Sequence, residues 1–116
     1  MIQEKLTILK ENNVITDVVY DYTQEVLSYL KDQNIVKTED QADVFITHLA
    51  MATARQYTDE NVNSVDPLIY DEIKANSRYE EAVHYWKNIS ALAPITFREN
   101  ETGYFYLHLV ALLNNE

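Results

Sequence analysis

Apolar residues in this chain recur every three or four positions, the period of a helix face, almost from end to end. Residues 2–10 carry Ile2, Leu6 and Leu9 at that spacing and predict a short first helix, ended by a break at Asn12-Asn13 that is either a turn or a kink. Thr16 or Asp17 is placed to cap a second helix running to about residue 31. Its stripe is Val18, Val19, Tyr22, Val26, Leu27, Tyr29 and Leu30, and Asp32-Gln33-Asn34 ends it. Thr38 followed by Gln41 is a capping-box pattern and opens the most strongly periodic helix, where Ala42, Phe45, Ile46, Leu49, Ala50 and Thr53 repeat until about Tyr57. The polar stretch 58–65 predicts a loop. Asp66-Pro67 pairs an N-cap with proline at the first helical position and starts a helix with Leu68, Ile69 and Ile73 that weakens near Asn76-Ser77. Over residues 78–92, Tyr79, Ala82, Val83, Trp86, Ile89 and Leu92 mark the next face, and Ala93-Pro94 stops it. A short extended link, residues 95–97, leads to a last helix with Tyr104, Leu107, His108, Val110, Ala111 and Leu112. Its first turn is acidic, as the helix dipole favours.

Composition sharpens this reading. A β-sandwich or barrel needs turn residues every 8–12 positions or so, and the chain holds one glycine and two prolines. The fold class is therefore all-α: a bundle of about five helices with an extra short N-terminal helix. In domain terms, residues 1–14 form a helical extension and residues 15–116 one domain. Gly103 inside the last helix costs about 1 kcal/mol relative to alanine and so points to close packing against another element. The formal charge of −10, from nineteen acidic against nine basic residues, disfavours direct contact with nucleic acid or an anionic membrane. There is no cysteine, hence no disulfide, no thiolate metal site and no cysteine nucleophile. Gln3, Glu4 and Lys5 interrupt any signal-peptide core, and no apolar run approaches the ~20 residues of a membrane span, so the expected location is cytoplasmic.

The chemistry-bearing residues are two histidines on two apolar stripes. His48 lies in Ile46-Thr47-His48-Leu49-Ala50, with Arg55 two turns further along the same face. His108 lies in Tyr104-Phe105-Tyr106-Leu107-His108-Leu109, with Glu101 two turns before it and Tyr104 one turn before it. By spacing alone, a lone histidine of this kind is more often simply a satisfied, partly buried side chain. His84, beside Tyr85 and Trp86, reads as a surface histidine. His48, His108 and Glu101 are residue types that suit zinc or iron, but no local ligand motif joins them, and no metal or other cofactor is expected. No phosphate-cradling glycine loop and no nucleophile elbow is present, so an enzyme is not expected either.

The stretch from Val44 through His48-Leu49 to Arg55 resembles the first histidine helix of the PTS regulation domain family, which pairs His-Leu with an arginine seven positions later. Glu101-Thr102-Gly103-Tyr104 leading to His108-Leu109 resembles the second. Asp66-Pro67-Leu68, Glu72-Ile73-Lys74 and Tyr79-Glu80-Glu81-Ala82 resemble the intervening helices in order and spacing. The resemblance spans roughly residues 15–114. It implies a bacterial five-helix domain that forms homodimers and is phosphorylated on His48 and His108 by phosphocarrier or enzyme II components of the sugar phosphotransferase system. Relatives occur in tandem, attached to transcriptional antiterminator or activator modules. This chain departs from that pattern in having a single domain and no effector module, so the expectation is that either another protein reads its output or signalling has been lost.

For such a site a neutral imidazole is a competent acceptor, and the protein mainly supplies position and positive charge. Arg55 either steadies a phosphoryl group on His48 or forms a salt bridge to a neighbouring acid. Glu101 either holds the second ring nitrogen of His108 or only stabilises the helix N-terminus. Tyr104 packs with its hydroxyl near the site. Phosphorylating both histidines would add about three to four negative charges and drive an interface rearrangement. The alternative function is a non-catalytic helical interaction dimer with no phosphorylation.

Overall fold

A computed structural model describes residues 1–114, so the last two positions of the expected domain lie outside the described residues. Six α-helices follow one another: α1 (Ile2–Glu11), α2 (Asp17–Asp32), α3 (Asp43–Arg55), α4 (Pro67–Ala75), α5 (Tyr79–Ala91) and α6 (Glu99–Asn114). A single 3₁₀ turn, Glu39–Ala42, precedes α3, and no strand occurs among the described residues.

Local chemistry sets the helix ends. Thr16 accepts the Val19 N–H at 3.3 Å to cap α2, and Asp66 accepts the Leu68 N–H at 2.9 Å with Pro67 at the first helical position of α4. The breaks after α1 and α2 are turns of one kind. Asn13 and Asn34 each take φ 59°, the left-handed conformation, in a chain nearly without glycine. Behind them the N–H groups of Val14 and Ile35 reach back to the carbonyls of Leu9 and Leu30 at 2.9 Å, closing two Schellman motifs. The Thr38 capping pattern opens the 3₁₀ turn and not α3 itself: Gln41 accepts the N–H groups of Lys37 and Thr38, and the α-helix begins one residue after that turn.

α3 and α6 pack against each other; α2 and α1 cover α3, and α5 covers α6. Phe45, Ile46 and Leu49 of α3 and Phe105 and Leu109 of α6 are buried at the centre. Trp86 of α5 stacks on Phe105 with ring centroids 4.1 Å apart, and Phe97 packs against both. α1 shares this core through Ile2 and Leu6 and is tied to the start of α3 by Lys5–Asp43 at 2.6 Å. Some apolar positions read as stripe members face solvent: Val18, Leu92 and, on α4, Leu68 (75% exposed) and Ile69, leaving Ile73 as the buried residue of that helix. Period alone marks an apolar face without saying whether anything covers it. Gly103 meets the expected constraint, since a Cβ there would stand 3.0 Å from Val65 and 3.2 Å from the Tyr70 ring.

Candidate functional site

The core faces of α3 and α6 dictate what their other faces carry. With Phe45, Leu49 and Ala52 turned inward, His48 leaves α3 on the solvent side, between exposed Val44 and Met51. With Phe105 and Leu109 turned inward, His108 leaves α6 half-buried, next to exposed Leu107. The two imidazoles meet across the helix pair, centroids 4.4 Å apart and planes tilted by 35°. Neither ring is sealed in the interior. Burial, and secondarily the adjacent His48 ring, lower the His108 pKa to about 4, so this imidazole is neutral at physiological pH and keeps a free lone pair.

Two turns from the rings along both helices lies a buried ion pair. Arg55 donates to Glu101 twice, Nη2 to Oε1 at 2.7 Å and Nε to Oε2 at 3.2 Å, with side chains 20% and 4% exposed. Gln56 completes the shell: its amide donates to the Glu101 carboxylate and to the Ala52 carbonyl, while its oxygen accepts the Arg98 N–H at 3.0 Å. A buried carboxylate needs such partners, and these lock the C-terminus of α3 to the first turn of α6. The loop 58–65 is strapped along α6 by Arg98 to the carbonyls of Thr58 and Glu60, by Asn100 to Val62, and by the Tyr104 hydroxyl to the Asn63 carbonyl at 2.8 Å.

Between the rings, the ion pair and this loop lies a cavity of about 300 Å³, lined by His48, Arg55, Glu101, Tyr104 and His108 together with Ala52, Val62 and Phe105. A larger depression of about 730 Å³ beside Gly103, between Tyr70 and Tyr106, holds none of the histidines. The smaller one is the candidate site, because acceptor nitrogens and a guanidinium converge there.

All five residues singled out from the sequence thus line one cavity. Arg55 and Glu101 are partners of each other: the hydrogen bonds of Glu101 go to Arg55 and Gln56, and Tyr104 spends its hydroxyl on the loop. Gln56 is the participant that sequence reasoning missed, and only its place next to Arg55 hinted at it. His84 is exposed, against the Tyr85 ring and away from the cavity. No group of three or more His, Cys, Asp or Glu side chains arranged to hold a metal occurs among the described residues, and no helix among them is long and apolar enough to cross a membrane.

Six α-helices with two histidines facing each other across the central pair make this an all-α bundle with a paired-histidine cavity. Residues 23–112 match the family model of the PRD domain, and the chain belongs to that family, whose members are regulatory domains of the phosphotransferase system type. No curated protein and no solved structure matches the chain.

Proposed function

We propose that this chain is a cytoplasmic regulatory domain that receives phosphoryl groups on His48 and His108 from phosphocarrier or enzyme II proteins of a bacterial sugar phosphotransferase system. It signals through dimer or partner contacts in transcriptional regulation. The observation that carries this reading is the convergence of two imidazoles, 4.4 Å apart, at a solvent-facing site of a PRD chain. Phosphoryl transfer asks for position and positive charge more than for covalent chemistry by the protein. The rings supply the acceptor lone pairs. Arg55 supplies a guanidinium whose donors match phosphate oxygens as well as they match a carboxylate. Glu101 holds Arg55 in place, and Tyr104 holds the loop that walls the cavity.

Exposed Val44, Met51 and Leu107 border the rings and suit a face that a donor protein or a second copy covers. The charge of −10 argues against nucleic acid as the direct partner. The test is incubation with a charged phosphocarrier protein followed by phosphopeptide mapping. Acid-labile phosphate on His48 or His108 is the expected outcome, and its complete absence would sink the reading. The second reading, an interaction dimer without phosphorylation, draws on the same apolar border; a dimer by native mass spectrometry with no phosphate uptake would favour it.

A further inference from the structure

Two acceptor histidines would ordinarily admit two phosphoryl groups. Here the rings stand 4.4 Å apart, so groups bonded to both would lie within about one Debye length of each other, roughly 8–10 Å. Each phosphoryl group carries about −1.5 to −2 charges. Among the described residues lining the cavity, Arg55 is the one cation, and buried Glu101 already neutralises it through two hydrogen bonds. The site thus has no second positive charge to set against a second phosphoryl group.

We propose that His48 and His108 form a single shared phosphoacceptor, which holds one phosphoryl group per chain on either ring while the unmodified ring serves as its N–H donor. The proposal rests on the reading that these histidines accept phosphoryl groups at all, and goes beyond it by fixing their number. In the transfer, the lone pair of one ring nitrogen forms the new N–P bond as the donor's bond to phosphorus breaks. The donor atom keeps that electron pair, and the acceptor's proton stays on its other ring nitrogen. The new dianion then favours protonation of the neighbouring imidazole, an opposite charge within contact distance. A protonated ring has no lone pair left for a second phosphorus. The other groups facing the pair are Arg55 on α3 and Glu101 and Tyr104 on α6; the first two cancel, so the partner ring is the group that responds. Burial first, and the adjacent His48 ring second, disfavour a proton on His108 before the phosphoryl group arrives.

The experiment uses potassium phosphoramidate, a small donor that needs no docking surface and releases ammonia on transfer. It is applied in excess to the full chain carrying His84→Ala, which removes the exposed third histidine, and the product is read by intact mass at neutral pH. Expected is saturation at one phosphoryl group, with the doubly modified species below about a tenth of the singly modified one, the factor that repulsion even at bulk-water dielectric imposes. Adding His48→Gln or His108→Gln should each leave a chain that still takes up one group. Two groups at saturation would overturn the shared acceptor and leave the proposed function standing, as would uptake abolished by one of the two variants alone. No uptake by the His84→Ala chain would overturn both.

Discussion

α3 and α6 meet twice, and the two meetings differ in kind. On the inner side Phe45 and Phe105 touch edge to face, centroids 6.3 Å apart, in an aromatic cluster with Trp86 and Phe97. On the outer side His48 and His108 meet at 4.4 Å, one ring exposed and the other half-buried. The inner contact carries packing energy and fixes how the helices lie; the outer contact inherits that spacing and contributes little to stability. The site geometry is therefore a property of the core, expressed on the surface.

The largest effect that could break this comparison is in the core. Phe105→Ala removes the ring that contacts Phe45, Phe97 and Trp86 and should cost about 3–5 kcal/mol in denaturant unfolding. A loss under about 1 kcal/mol would mean that the inner contact does not set the helix pair. Next in size is the ion pair. Arg55→Ala leaves the Glu101 carboxylate buried with Gln56 as its remaining partner and should cost about 2–4 kcal/mol. Arg55→Met combined with Glu101→Gln should recover part of that loss, because the penalty is an unpaired buried charge and not a missing attraction. A double variant less stable than Arg55→Ala would contradict this account. Smaller again is the α2 cap: Thr16→Ala should lower stability by about 1 kcal/mol, read from the same unfolding curves.

The helices and most of their ends were legible because the signals are local. Asp66-Pro67 and Thr16 act on N–H groups two or three residues away, and Asn13 and Asn34 end their helices through turns closed within six residues. Leu68 and Ile69 misled because an apolar period does not reveal whether a partner element arrives to cover it. In the site, spacing placed Arg55 with His48 and Glu101 with His108, each along its own helix. The decisive pairing runs between helices, Arg55 to Glu101 across 46 residues and Gln56 to Glu101 across 45. No periodicity within either helix encodes such a contact; it follows from how the core packs. For the same reason the Tyr104 hydroxyl could not be assigned to the Asn63 carbonyl before the loop path was known.

The smallest effect on stability falls at the histidines, and it sharpens the comparison most. His48→Ala removes an exposed side chain and should change stability by no more than about 0.5 kcal/mol. It should move His108 much more visibly. Burial first, and the His48 ring second, hold the His108 pKa at about 4, below the ordinary 6.5. Taking away His48 removes one cause and admits water, weakening the other, so the His108 midpoint in an NMR titration should rise from about 4 toward the ordinary value. The stability sign follows from linkage. The unfolded chain binds this proton near 6.5 and the folded chain only near 4, so protonation favours unfolding across that window. The His108 contribution is intact above 6.5 and is lost as pH falls toward 4. A chain carrying His108→Gln should therefore lose less stability than the unsubstituted chain between those two values. A His108 midpoint near 6.5 in the unsubstituted chain would show that the rings are hydrated and apart, and the outer contact would no longer mirror the inner one.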